Sequence, residues 1–463
     1  MSFRYRSLRN ELICRTVLLF LPLITTAHVS RVLGTEGMGV TAVSLNVISY
    51  FIMTAQLGTH TLGIRTAAQD PARAEQTYQE LFSLQILTSL FSMSLYLAVL
   101  VMTHASIIMR IQMIRLAACM SDCSWLLKGL ERSGAYTVCL LTFRVIDAVL
   151  VILFVRPGYA PLETYGLIQA GSTFLTAVLS QIFIYRLGFD FRFRTEHLSV
   201  HLKDSLKLFV PAAALKVYRI IDQAMLGILS AAHESGSYAC ADRMINIPFG
   251  ILEGIFVLLI PGAIRARRNT GYQQYCSENI SVLLSAACLI CCGLFMVSRD
   301  SVILLYGKGY EEVTGVCRLL SPFVILKAYT MSFRCLYLIP AGKQKTDTLT
   351  VCAAAAVNIL LGLYLIPAHG ACGAAISDVV SEAGLVMMDV LSGQKFSISK
   401  NICLRTAAAC MGCLIIHHAL LPDTPAVRIL ADAVLWLSGA VWVIQTKEIK
   451  MILKRIREEH GTE

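Results

Sequence analysis

Several basic residues stand inside long apolar runs of this chain: Arg15, Arg31, Arg144, Lys216, Arg219, Arg243, Lys327 and Arg334. Acids in the same runs include Asp122, Asp147, Asp222, Asp242, Glu253, Asp378 and Glu382. A charge in hydrocarbon is costly, so such groups face one another or a watery cavity. Part of the charge can be neutralised locally. Arg144 and Asp147 are spaced to share a helix face, and so are Arg219 and Asp222. Lys216 falls on that second face too, which then carries two positive charges for one carboxylate. The surplus predicts an inward-facing, net positive, water-filled cavity. Such a cavity suits an anion, and guanidinium forks match phosphate geometry. The candidate anion-binding residues are Arg15, Arg31, Lys216, Arg219, Arg243 and Lys327. A second reading stays open for Arg31, whose head group can reach the outer interface. Arg144 and Arg334 read equally well as members of structural ion pairs. Asp222, Asp378 and His28 are candidates for ion coupling or charge pairing. Pro22 and Pro211 fall within helices, where each removes a backbone hydrogen bond and can act as a hinge.

Chemistry of other kinds finds no such pattern. The chain has no Gly-rich phosphate loop and no paired-carboxylate motif. Most of its 16 cysteines lie in apolar runs, and Cys410 with Cys413 lacks a second ligand pair at metal-site spacing. They read as small apolar helix residues. No metal or cofactor is expected. His417 and His418 read as an interfacial pair, and His60 as an exposed residue at a helix end.

The elements that must position these side chains follow from hydropathy. Of 463 residues, 56% are hydrophobic and 15% charged, against about a quarter charged in soluble domains. The apolar residues cluster in runs of about 20, the length that crosses a bilayer core. The expected fold is an all-α polytopic membrane protein of about 14 transmembrane helices. They are placed near 8–33, 38–62, 78–103, 107–130, 135–156, 162–187, 204–229, 237–262, 277–298, 312–339, 347–367, 370–391, 401–420 and 425–445. The first run lacks a cleavage site and reads as retained. Breaks carry turn chemistry, as at Gly34 to Gly37, Asp70-Pro71 and Arg156-Pro157-Gly158. Lys and Arg crowd alternate loops by about five to one, which makes the helix count even and puts both termini in the cytoplasm. Arg192, Arg194 and Lys203 sit in one such loop, and Lys447, Lys450 and Lys454 in the tail.

The basic loop near 188–203 divides the chain. The expected parts are an N-lobe over 1–190, a C-lobe over 203–392, and two extra helices with a cytoplasmic tail over 393–463. Pro22 and Pro211 hold matching places in the first helix of each lobe, and small-residue-rich helices follow near Gly37 and Gly236. Repeats of this kind are common in transporters.

Short motifs along about the first 390 residues carry a resemblance. They run from Leu21-Pro22-Leu23-Ile24-Thr25 through Ser30-Arg31-Val32-Leu33-Gly34-Thr35-Glu36-Gly37. Leu57-Gly58, Gly63-Ile64-Arg65, Asp122-Cys123-Ser124-Trp125 and Gly129 follow. In the second half come Tyr218, Asp222, Met225-Leu226-Gly227, Tyr238, Ala241-Asp242-Arg243, Gly342-Lys343-Gln344, Asn358 and Gly373-Ala374-Ala375. The chain resembles the polysaccharide-transport family, the oligosaccharide flippases of the multidrug/oligosaccharidyl-lipid/polysaccharide exporter superfamily. It departs from the family pattern at Ala27-His28, Leu62, Lys128 and Asp378. The resemblance implies two six-helix lobes in a MATE-like arrangement around a central cavity. It also implies movement of a polyprenyl-pyrophosphate-linked oligosaccharide across the bacterial cytoplasmic membrane, in functional company with a polysaccharide polymerase and glycosyltransferases. A cation-coupled multidrug exporter of the same superfamily is the first alternative, but it calls for an acidic or aromatic cavity. A membrane-embedded polymerase or glycosyltransferase is the second, but the outer loops are too short. An enzyme and a nucleic-acid partner are not expected.

Overall fold

The computed structural model describes residues 2–103, 105–132, 134–158, 160–267, 271–392, 396, 398–420 and 425–445, without side chains for 2–20 and a few helical positions. The chain divides into two compact units, Met1–Gly227 and Ile228–Glu463. Every regular element described is helical.

The first unit runs α1 (Ser2–Gln56), α2 (Thr59–Gln69), a 3-10 turn at Pro71–Arg73, α3 (Ala74–Met102), α4 (Ile107–Ile111), α5 (Met113–Ser121), α6 (Ser124–Gly129), α7 (Gly134–Phe154), α8 (Pro161–Arg186) and α9 (Leu198–Leu229). The second holds α10 (Ala232–Ala266), α11 (Tyr272–Leu305), α12 (Glu311–Phe333), a π turn at Arg334–Leu338, α13 (Gln344–Leu391), α14 (Lys400–Leu420) and α15 (Pro425–Ile444). Among the described residues, eight helical stretches are long and apolar enough to cross a membrane.

Two of those stretches are pairs of helices. Gly34 (φ 68°) interrupts α1, and Gly370 (φ 52°) interrupts α13. As one straight rod, the 48 residues of α13 would reach about 72 Å, more than twice a hydrocarbon core. The break lets the chain turn back. It is held from outside: the Glu234 carboxylate accepts the Ala371 backbone N–H at 2.7 Å. The break in α1 falls at Gly34, beyond Pro22, and α9 stays helical through position 211.

The helices are inside out by the standards of a water-soluble protein. Along α3 the buried residues include Ser83, Gln85, Ser89 and Ser92, all fully covered, while Leu90, Phe91, Leu97 and Val101 are exposed. Serine in the packed seam lets helices approach, and apolar side chains outside meet lipid tails. The serine hydroxyls are not wasted: Ser92 donates to the Phe51 carbonyl on α1 at 2.7 Å.

The sequence predicts one helix over 107–130 and one over 38–62, and the structure breaks both. The first parts into α4, α5 and α6, with Asp122 extended (φ −80°, ψ 104°). A break at membrane depth frees backbone groups that protein must satisfy. Gln85 donates to the carbonyls of Cys119 (2.7 Å) and Asp122 (2.8 Å), and Gln181 donates to that of Ser121 (3.1 Å). Ser180 accepts the Cys123 N–H at 3.0 Å, and Asp122 itself accepts the Ser124 N–H at 3.0 Å. The second helix breaks at Leu57 (φ 41°) and Gly58 (φ 81°). A Cβ on Gly58 would stand 2.6 Å from the Ser205 carbonyl oxygen on α9.

The Trp125 ring locks α6 to α2. It donates to Gln85 at 3.1 Å and lies so close that a Cβ on Gly63 would meet it at 2.2 Å. Gly63→Ala is therefore expected to destabilise the protein by about 1–3 kcal/mol, an overpacking cost. Thermal unfolding of the solubilised protein reads it as a lower midpoint, and an unchanged midpoint would show that the Trp125 ring yields freely.

Candidate functional site

In the first unit the charged interior is built by α5, α7, α8 and α9. Arg115 on α5 is half-buried and donates through Nη2 to Gln169 Oε1 on α8 at 2.9 Å. Gln169 in turn donates to the buried Tyr165 hydroxyl at 2.8 Å. Arg115 Nε and Asp147 Oδ1 are both buried with no hydrogen-bond partner. Asp147 feels Arg144 first and Arg115 second. The expected one-to-one pairing of Arg144 with Asp147 is thus a looser group of two guanidinium ions around one carboxylate.

Lys216, half-buried on α9, is within electrostatic reach of Cys119 on α5, and that thiol also feels Arg115. Lys216 on α9 therefore comes near the same α5 thiol that Arg115 reaches from within α5. Asp222, also on α9, is almost completely buried, within reach of the Tyr50 phenol on α1. Arg31 is exposed. His28 donates through Nε2 to the Val155 carbonyl at 3.0 Å, just past the end of α7. This bond gives its ring a structural task. The side chains of Arg15, Arg219 and Pro211 lie outside the described residues.

Arg115 was not singled out by sequence. The signal was available, since Arg115 interrupts an apolar run as Arg144 does, but spacing alone gave it no partner. Gln169 and Tyr165 come from another helix.

In the second unit Lys327 is held by aromatic rings. Its ammonium stands 5.0 Å from the Phe249 centroid and 4.7 Å from that of Phe323. Ring faces stabilise a cation without neutralising it. Arg243 on α10 is half-buried, within reach of Cys240 and Tyr306. Asp378 on α13 accepts from the Tyr238 hydroxyl and from Asn358 Nδ2 at 3.2 Å, all three side chains being buried. One turn on, Glu382 accepts from Thr330 at 2.6 Å. Arg334 makes its expected ion pair, with Asp347 at 2.8 Å. His417 pairs with the buried Asp432 at 2.8 Å, so it joins α14 to α15.

His60 departs from its expected exposure. Only 22% of its side chain is exposed, and its Nε2 stands 4.0 Å from Asp122 Oδ2.

Among the described residues one group has ligand atoms close enough to share a metal ion: His233, Glu234 and Glu312, within 4.8 Å of one another at the surface. Glu234 is already engaged at the α13 break.

The chain has known counterparts. Residues 12–265 match the family model of the polysaccharide biosynthesis proteins. A putative O-antigen transporter of Escherichia coli K12 is 22% identical over 380 residues, covering 78% of this chain and 90% of that protein. One from Shigella dysenteriae is 23% identical over 275 residues, covering 57% of this chain and 67% of that protein. Among solved structures, the lipid II flippase MurJ in an inward closed conformation superposes with a TM-score of 0.72 at 14% identity, over 94% of this chain and 98% of that one. A multidrug resistance MATE family transporter of the MOP superfamily, inward-facing, gives 0.62 at 15% identity, over 84% and 95%. At these identities the structures speak for the fold.

Proposed function

The chain belongs to the polysaccharide biosynthesis protein family, and from that membership we propose that it flips a polyprenyl-pyrophosphate-linked oligosaccharide across the bacterial cytoplasmic membrane. The observation that carries the reading is the sign of the interior. In the first unit Arg115 and Arg144 share Asp147, and Lys216 and Arg115 share the Cys119 thiol with Asp122, so three cations gather with two acids. A buried cationic surplus repels organic cations and attracts a pyrophosphate, which favours a lipid-linked sugar over a cationic drug.

In this reading the polypeptide crosses fourteen times, with six helices in each lobe, two extra helices and both termini in the cytoplasm. The head group enters a cavity ringed by Arg15, Arg31, Lys216, Arg219, Arg243 and Lys327, while the polyprenyl tail stays in lipid. Rocking of the lobes, with Pro22 and Pro211 as hinges, then opens the cavity outward. A negative cell interior favours anion exit by about 2.3 kcal/mol per charge per 100 mV. Binding must stay weak enough for release, so dispersed cations serve better than one tight clamp. No covalent step is needed, and the polymerase and glycosyltransferases are neighbours in the same process.

Reconstitution tests it. Vesicles holding the purified protein are expected to move a fluorescent polyprenyl-pyrophosphate oligosaccharide between leaflets, read by its loss of protection from a membrane-impermeant quencher. Accumulation of an organic cation, with no movement of the lipid-linked sugar, would overturn the reading.

A further inference from the structure

Two chain breaks in the first unit face each other across His60 and Asp122. Asp122 is the extended residue where α5 gives way to α6. Its Oδ1 holds the Ser124 N–H, and its Oδ2 points at His60 Nε2, 4.0 Å away. That nitrogen is buried and has no hydrogen-bond partner. His60 follows directly on the Leu57–Gly58 break, so α2 is not a continuation of α1 but a separate short helix carrying the imidazole.

We propose that His60 and Asp122 form a proton-binding pair whose occupancy sets the position of α2 against α6 and, through the Leu57–Gly58 break, of α9. The inference rests on reading the chain as a transporter. The gap is too long for a hydrogen bond and short enough to close by a small shift. A proton added to the imidazole gives the carboxylate a charged donor, and the contact tightens. When the proton leaves to water, the gap reopens. No bond other than N–H is made or broken.

The mechanical connection is in place. Ser205 on α9 donates to the Leu57 carbonyl at the break, and Gly58 packs directly on the backbone at Ser205 and Phe209. Lys216 lies two to three turns along that same helix. Hydrogen bonds from Gln85, Ser180 and Gln181 brace the break by Asp122 on its other sides, whereas toward His60 it is held by packing, chiefly of Trp125 on Gly63. Other charged or titratable groups facing the pair are Lys128 on α6, Cys119 on α5, Cys123 at the break and Tyr136 on α7. Of these only Lys128 carries full charge, and its repulsion of the imidazolium limits how long the proton stays.

Trp125 reports on the site, because it packs on Gly63 one turn beyond His60 and lies in the first turn after Asp122. The full-length protein in phosphatidylethanolamine–phosphatidylglycerol nanodiscs is titrated from about pH 5 to 8, the range in which imidazole changes charge. Tryptophan emission is expected to show a transition that is lost in Trp125→Phe, His60→Gln and Asp122→Asn. Asn can keep the Ser124 cap through its carbonyl oxygen, so Asp122→Asn is expected to fold, and size-exclusion profiles check it. A transition absent from the wild type, or unaltered in both His60→Gln and Asp122→Asn, overturns the proposal. A second arm measures movement of the fluorescent lipid-linked sugar under an imposed pH gradient. The wild-type rate is expected to change several-fold with the gradient, and both variants are expected to lose that response while retaining gradient-independent movement. A normal fluorescence titration without any sugar movement would instead sink the flippase reading and leave the proton pair standing.

Discussion

Lys216→Ala/Arg219→Ala is expected to slow translocation of the lipid-linked sugar by at least about tenfold, since each charge-assisted hydrogen bond to an anion contributes about 1.5–3 kcal/mol. The two residues share a face of α9, and Lys216 is half-buried within reach of Cys119 on α5, beside Arg115. Asp147 keeps Arg144 and Arg115 in this variant, while the buried Asp222 on α9 loses the cations of its own face. Thermal unfolding therefore accompanies the rate measurement, and Lys216→Ala alone serves as the second variant if the double one is unstable. Lys216→Arg is expected to retain most of the rate, because charge and reach survive even though the donor geometry changes. Rates are measured at substrate concentrations well below saturation, where a loss of binding shows fully. If the double variant is folded and moves the sugar at the wild-type rate, the anion site lies elsewhere.

The features legible in sequence are those set by local pattern. Apolar runs announced helices because a buried backbone in lipid must bond to itself. Gly34 and Gly370, where positive φ turns the chain back, fell in stretches that already read as turns or helix ends. What the sequence could not show is how distant helices meet. The break at Asp122 is stable because Gln85, on another helix, satisfies two of its carbonyls. Nothing between residues 107 and 130 announces that help. The same blindness hid Arg115, whose partner Gln169 is on α8, and misjudged His60, whose neighbour Asp122 stands at the break between α5 and α6. The motif Asp122 to Gly129 was visible as a resemblance, and its physical content is now specific. Asp122 caps, Trp125 clamps Gly63, and Gly129 lets α2 approach, since a Cβ there would meet Ala67 at 2.8 Å.

Charge in the second unit is managed differently from that in the first. Arg334 and Asp347 neutralise one another directly, and Lys327 lies over the aromatic faces of Phe249 and Phe323. A residue that has lost its charge to a partner within its own unit has less to offer a substrate. By that criterion Arg334 is a weak candidate for contact with the head group.

Asp378 separates a structural acid from a coupling one. Asp378→Ala is expected to destabilise the second unit by about 2–4 kcal/mol, because the Tyr238 hydroxyl and the Asn358 amide would each be left as buried donors without this acceptor. The lower end of that range applies if the unfolded chain stays in the bilayer and finds other partners. Asp378→Asn is expected to cost under about 1 kcal/mol, since the hydroxyl of Tyr238 can rotate to accept from the new amide while Asn358 keeps its acceptor. Thermal midpoints in nanodiscs give both values. The transport consequence follows from the same geometry. With the contacts to Tyr238 and Asn358 preserved and its charge removed, Asp378→Asn is expected to keep both the rate of sugar movement and its response to a pH gradient. Loss of the gradient response in a variant with a wild-type midpoint would move the proton site from His60 and Asp122 to this cluster, and equal destabilisation by Ala and Asn would mean that the carboxylate charge itself holds Tyr238 and Asn358 in place.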